Sequence, residues 1–220
     1  AVIQAGRGSV PVRVEEGYGR VRYDDFVWVT SHNAMSTAAD QWIAPNQNRS
    51  MTDQLRAGVR GLMLDVHESE EGPVLYHGKS WAGSRPLVDG LVEIRSFLES
   101  DPNAIVTLIL ENYVTGEALI AAFEEAGMAS LLHTQKKNRS WPSLGAMQRS
   151  GKRLVVLTEK GKGEAPWLLP LWEWCWDTHW SAKTLEDFTS KPHRGAVDHD
   201  LFILNHFLTR TTGSASLAAQ

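Results

Sequence analysis

Val59-Arg60-Gly61-Leu62-Met63-Leu64-Asp65-Val66 is the stretch on which the fold turns. It is a near-continuous apolar run, as a strand buried on both faces requires; a strand with one wet face would alternate. Comparable runs flank it, and each ends in polar residues. Phe26 to Thr30 runs into Ser31-His32-Asn33, and Val74-Leu75-Tyr76 precedes His77-Gly78. Ala104 to Leu110 ends at Glu111-Asn112, Leu154 to Thr158 at Glu159-Lys160, and Leu201 to Leu204 at Asn205-His206. Trp172 to Trp176 and Leu131-Leu132 are the weaker candidates for two remaining strands.

Helix signals lie between these runs. Ser50 is placed to cap a helix carrying Met51 and Leu55 that stops at Gly58. Leu87, Leu91, Ile94 and Leu98 fall on one helical face. Thr115 caps a helix closed by Gly127, and Pro142 stands as the first residue of a helix ending near Gly151. Strands alternating with helices predict an α/β fold with parallel strands and right-handed crossovers. Six clear strands and two weaker ones favour a compact, irregular (β/α) barrel.

The chain has 220 residues, 42% of them hydrophobic and 22% charged, enough for one globular domain. No apolar run approaches the ~18 residues of a membrane-spanning helix, so a soluble chain is expected. A net charge of −4 argues against a general nucleic-acid binder. One cysteine, Cys175, excludes an internal disulfide and a cysteine-based zinc site. Residues 1–25, with Gly6, Gly8, Gly17 and Gly19, read as an arm, 26–210 as the barrel and 211–220 as a small-residue tail.

His32, Asn33, Asp65, His67, Glu68, His77, Glu111, Asn112, Glu159, Lys160, Asn205 and His206 all stand at the C-terminal ends of apolar runs. In a parallel barrel those ends share one rim, where active sites are built. Two histidines, an aspartate and a glutamate from four strands therefore converge there. His133, His179, His193 and His199 belong to no motif.

These residues resemble a known family. Ser31-His32-Asn33-Ala34-Met35-Ser36 followed by Gln54 to Asp65 is similar to the opening of a phosphatidylinositol-specific phospholipase C X domain, and Tyr76-His77-Gly78 to its second histidine motif. Glu93 to Leu98, Asp101-Pro102 and Ile105 to Val114 resemble the stretch that follows in that domain, and Trp141 to Leu144, Arg153 to Glu159 and Leu204 to Phe207 resemble later landmarks of the smaller, single-domain phospholipase-C-like phosphodiesterases. The resemblance spans about residues 26 to 210 and implies a distorted TIM barrel.

It also implies a chemistry. Attack on a phosphodiester by the substrate's own neighbouring hydroxyl needs a base for that hydroxyl and an acid for the leaving alcohol, and histidine suits both. The resemblance assigns these roles to His32 and His77, with Asp65 beside them. Calcium-dependent members place ligands at positions held here by Asn33, Asp65 and Glu111, which implies Ca²⁺. Met63 replaces one acidic ligand and offers no oxygen. Metal-free members instead carry an arginine at the position of His67, so a metal-free site is the alternative. Asp65 alternatively orients a histidine, and Glu111 alternatively pairs with Lys160 or Arg60 on the rim.

Lys79, Glu159, Lys160, Asn205 and Trp176 are the expected substrate contacts. Trp167, Trp172, Trp174, Trp176 and Trp180 lie within fourteen residues. They fill the barrel, or Trp167 or Trp180 forms with Trp81 a platform at the mouth for a lipid boundary or an inositol face. Glu173 or Asp177 is placed to take a ring hydroxyl. The expected function is cleavage of an inositol phospholipid or related glycerophospho compound through a cyclic phosphate, by a monomer in transient contact with a membrane surface. Alternatives are another headgroup, such as sphingomyelin or a glycerophosphodiester, a non-catalytic headgroup- or glycan-binding barrel, or sugar chemistry. Free-standing relatives imply a secreted or cell-surface protein.

Overall fold

The computed structural model describes residues 17–160 and 165–208. The arm's first sixteen residues and the tail therefore lie outside the described residues. A 3₁₀ turn at Tyr23–Asp25 leads into β1 (Thr30–Ser31), α1 (Met51–Arg56), β2 (Gly61–His67), β3 (Val74–Leu75), β4 (Arg85–Pro86) and α2 (Leu87–Ser100). There follow β5 (Val106–Asn112), α3 (Gly116–Glu125), α4 (Leu144–Ser150), β6 (Leu154–Thr158) and β7 (Leu168–Pro170). Then come α5 (Leu171–Trp174), β8 (Cys175–Thr178), β9 (Pro192–Arg194) and β10 (Leu201–Ile203).

The parallel strands run β1-β2-β5-β6-β7, and β8 pairs in parallel with β10. Three short strands, β3, β4 and β9, are antiparallel additions. Among the described residues, no ladder joins β7 to β8 or β10 to β1. The strands nevertheless surround one interior, because alternation sorts their side chains into two cores. Leu62, Leu64, Val66, Leu108, Leu110 and Val156 face outward onto Leu91, Ile94, Leu98, Leu119 and Phe123 of the helices. Ile109, Leu157, Leu169, Cys175 and Ile203 meet inside, with Met63 packed against them. The α/β barrel expected from the sequence is thus present, distorted by two open seams.

The interior is filled from below. Tyr23 stacks on Trp141 at 4.6 Å between ring centroids and lies 5.3 Å from Trp28. Its hydroxyl is 2.6 Å from the Thr107 hydroxyl on β5. Met63 and Ile109 then floor a cavity of about 600 Å³ at the strands' C-terminal ends.

The capping signals were legible. Ser50 and Thr115 accept hydrogen bonds from the Asp53 and Ala118 amides and start α1 and α3. The fourth helix starts two residues past Pro142, because the Ser143 side chain caps it through the Ala146 amide. Trp172 to Trp176 is not one strand: Leu171–Trp174 forms a helical turn and β8 begins at Cys175. Leu131-Leu132 contributes only an isolated bridge, Leu132 to Leu154. The run from Phe26 is paired strand only at Thr30–Ser31; Phe26 and Trp28 pack against each other, with 55° between their rings, in the bottom plug.

Candidate active site

Close packing sets the first histidine. Thr30 pairs with Gly61, where a Cβ would lie 2.1 Å from the Thr30 hydroxyl oxygen, so only glycine lets β1 approach β2. The chain then turns at Asn33, whose φ of 50° is left-handed and suits asparagine. The His32 carbonyl accepts from the Gln47 side-chain amide at 2.7 Å. Its ring stacks on Phe207 at 4.3 Å, with 20° between the planes. Burial holds the His32 pKa down, to about 3, with His77 adding to the shift.

The second strand carries Met63, Asp65 and His67 on its inward face. Asp65 is opposite Glu111 of β5 in register. The short β3 returns antiparallel to β2 and delivers Tyr76 and His77. His77 Nδ1 lies 2.8 Å from Asp65 Oδ2. That hydrogen bond raises the His77 pKa against the opposing effect of burial. His67 is sandwiched between Tyr76 and Tyr113, at 3.7 and 4.6 Å, and the Tyr113 hydroxyl donates to Glu111.

The opposite wall comes from β6, β8 and β9. Gly195, at φ +74°, packs where a Cβ would lie 2.0 Å from the Cys175 carbonyl oxygen, which holds β9 tightly against β8. Arg194 of β9 donates to Asp177 Oδ2 at 2.7 and 3.1 Å and to Glu159 at 2.9 Å, with its guanidinium over the Trp172 ring. Asp177 is fully buried and also accepts from the Asn205 amide at 3.1 Å. Glu159 is raised above the usual carboxylate range, first by burial and then by Glu111.

His32, Asn33, Asp65, His77, Glu111, Glu159 and Asn205 therefore line one cavity. Asn205 points inward, whereas His206 stacks on Phe188. Lys79, Lys160 and Trp176 do not form the cavity wall. Trp176 alternates with the inward Cys175 and Asp177 and so turns outward onto Phe202, at 4.0 Å. Lys79 is exposed on the turn after His77. The Lys160 ammonium sits 3.9 Å above the Tyr113 ring, behind the wall. Glu111 takes Tyr113 as its partner, while Arg60 pairs with Asp101 at 3.7 Å.

Sequence reading missed Arg194, Trp172, Tyr113 and Phe207 as wall residues. Tyr113 and Phe207 carried a signal, each standing two residues after a rim residue, Glu111 and Asn205. Trp180 also lines the mouth, while Trp167 packs on Phe123 outside the barrel. Trp174 is core, and Trp81 is 75% exposed. Asp177 lies in the wall; Glu173 does not.

Asn33, Asp65 and Glu111 share this wall as calcium ligands would, but both carboxylates are already engaged and Met63 adds no oxygen. Calcium takes six to eight oxygens. Among the described residues no group of three or more His, Cys, Asp or Glu side chains is arranged to hold a metal. Asn33, Asp65 and Glu111 would supply fewer oxygens than calcium takes, so a Ca²⁺ ion held here would take the rest from substrate and water.

A family model described as PI-PLC X 1 matches residues 18–219. The chain belongs to the PI-PLC X family. It is 29% identical over 174 residues to a PI-PLC X domain-containing protein of Arabidopsis thaliana, covering 71% of this chain and 40% of that one. It is 28% identical over 204 residues to PI-PLC X domain-containing protein 1 of Arthroderma benhamiae, covering 85% and 65%. The chain thus spans less than two thirds of either relative's length. Among solved structures, it is similar to S. officinalis PLC21, with TM-score 0.52, 18% identity, and coverage of 67% of this chain and 20% of that one. The phosphatidylinositol-specific phospholipase C of S. aureus gives TM-score 0.50, 17% identity, and coverage of 67% and 51%. At these identities the likeness is one of fold, and it agrees with the PI-PLC X barrel described above.

Proposed function

We propose that this PI-PLC X barrel cleaves the phosphodiester of an inositol phospholipid, or a related glycerophospho compound, by acid–base catalysis. One observation carries the reading: two histidines face one cavity with protonation preferences driven apart. Such separation marks a base and an acid. His32, kept neutral by burial, takes the proton of the ring hydroxyl adjacent to the phosphate. That oxygen bonds to phosphorus, and the bond to the lipid alcohol breaks. His77, whose protonated form Asp65 favours, gives its proton to the departing oxygen. The products are a cyclic phosphate and the free alcohol, and no step passes through a metal.

The Glu159–Arg194–Asp177 wall suits the polyol end. Its remaining lone pairs and N–H groups match vicinal hydroxyls, and Trp172 and Trp180 line the same cavity. Arg194 is already shared by two carboxylates, so this wall favours a ring without further phosphates. Ile43 and Trp81 are 60% and 75% exposed, and the Ile43 amide donates to the carbonyl of Ala82, the residue after Trp81. They suit transient contact with a lipid surface.

A non-catalytic headgroup- or glycan-binding barrel is the second reading. The cavity's four carboxylates, Asp65, Glu111, Glu159 and Asp177, favour it, since they suit a neutral polyol better than an anion. The His77–Asp65 pair weighs against it, because a binder needs no proton donor there. Phosphorus NMR on phosphatidylinositol micelles, with EDTA and then with Ca²⁺, separates them. A cyclic inositol phosphate signal is expected in EDTA. No product in either condition overturns the enzymatic reading, and product only with Ca²⁺ overturns the metal-free step.

A further inference from the structure

The two histidines are held by different means. His77 is oriented by a carboxylate. All four carboxylates of the cavity are committed elsewhere: Asp65 to His77, Glu111 to Tyr113, and Glu159 and Asp177 to Arg194. Among the described residues, no hydrogen bond reaches the His32 ring, which stacks on the face of Phe207 at 4.3 Å. An imidazole without a hydrogen-bonded orienting group is free to rotate about its side-chain torsions unless packing fixes it.

Phe207 is itself fixed. Two residues earlier, Asn205 is locked by its amide donating to Asp177 and to the Thr178 carbonyl at 2.6 Å, and by its backbone N–H donating to the Thr178 hydroxyl at 2.9 Å. His206 turns the other way onto Phe188 at 4.5 Å. Phe207 then returns to the cavity wall. There it bridges the β10–β1 seam, which no described ladder closes.

We infer that Phe207 is the positioning residue of His32, its ring face supplying the orientation that a carboxylate supplies to His77. This rests on the acid–base reading above. Stacking places the ring without adding negative charge beside it, so the base stays neutral and aimed, and the two histidines remain chemically distinct. Phe207 touches no reacting atom in this account; it acts through His32.

Three variants test it: Phe207→Leu, which keeps an apolar side chain without a flat ring, Phe207→Ala, and Phe207→Tyr. The first readout is the kcat–KM split on phosphatidylinositol. Leu and Ala are expected to lower kcat about 10- to 10²-fold, the scale of a misplaced catalytic group, with KM within about threefold. Tyr is expected to restore kcat. The second readout needs no turnover: the rate at which diethyl pyrocarbonate acylates His32, followed by peptide mass spectrometry with His77 as internal reference. Loss of the ring is expected to expose His32 and raise its relative rate at least ~3-fold in the Leu and Ala variants and not in Tyr.

If kcat and the His32 acylation rate are both unchanged in Phe207→Leu, the inference is overturned. If Tyr fails to restore kcat while folding normally, the ring-face account is also overturned. If the wild-type protein cleaves no phosphatidylinositol, the acid–base reading falls, and acylation alone decides whether Phe207 holds His32. Cleavage that is indifferent to all three variants overturns the inference and leaves that reading standing.

Discussion

The cavity has two walls built on opposite principles. On one side, His32, Asp65 and His77 stand after β1, on β2 and after β3, with an ion pair joining Asp65 to His77 and His32 stacked on Phe207. On the other, Glu159, Asp177 and Arg194 are joined into a single hydrogen-bonded unit. The first wall leaves protonatable nitrogens free to exchange protons. The second commits its charges to each other and leaves fixed lone pairs and N–H groups. A wall that moves protons and a wall that holds hydroxyls are complementary requirements for splitting a polyol phosphodiester. Their difference is open to three tests.

The largest effect is expected at the first wall. His77→Ala and His32→Ala should each lower kcat by about 10²- to 10⁴-fold, the usual contribution of a general acid or base. Circular dichroism should show the fold intact, since His77 is half-exposed and neither ring is in the two hydrophobic cores. Activity within tenfold of wild type in either variant would break the proton-transfer assignment.

The pH profile asks whether the two histidines differ as described. His77 must be protonated to act, and its raised pKa means that this form persists above the usual histidine value and is lost as pH rises through it. His32 must be neutral, and its pKa near 3 keeps it so throughout the neutral and mildly acidic range. The expected kcat/KM profile is therefore flat from pH 5 to 6.5 and falls on the alkaline side by about tenfold per pH unit once His77 has lost its proton. A bell with an acidic limb near 6.5 would mean that His32 titrates normally. Steady-state rates in buffers of constant ionic strength decide it.

The two walls were unequally legible in the sequence. His32, Asp65, His77 and Glu111 each end an apolar run, so strand reading alone brought them to one rim. Arg194 ends no such run. It sits on a three-residue antiparallel strand bounded by Pro192 and Gly195, which reads as loop, and only pairing with β8 carries it into the cavity. Trp176 failed for the converse reason: the alternation of tryptophans at 172, 174 and 176 suggested a strand, but a helical turn occupies 171–174. Beginning the strand at Cys175 sends Asp177 inward and Trp176 outward. Lys79 and Lys160 adjoin rim residues in sequence without sharing their face, a distinction that one-dimensional spacing does not carry. Barrel class was easier to read, because two-sided burial leaves its mark on most residues of β2, β5 and β6.

Arg194→Lys gives the smallest and most discriminating effect. A lysine keeps the charge but not the planar fork that reaches Asp177 twice and Glu159 once, and it lacks the flat group that covers Trp172. Asp177 would keep the Asn205 amide and the backbone N–H of residue 194 but lose both guanidinium bonds to Oδ2 while remaining buried. About 1–2 kcal/mol of stability should be lost, visible in denaturant unfolding, because a buried acceptor loses a charged hydrogen bond. If this wall holds the polyol end, KM for phosphatidylinositol should rise about tenfold with kcat within threefold, since binding lost equally from ground and transition states appears in KM. A fall in kcat with unchanged KM would instead make Arg194 part of the proton-moving wall and erase the division between the two. Stability lost with both constants unchanged would reduce the second wall to a brace for β8 and β9, and the hydroxyl-binding surface would have to be sought nearer Trp180 and Tyr113.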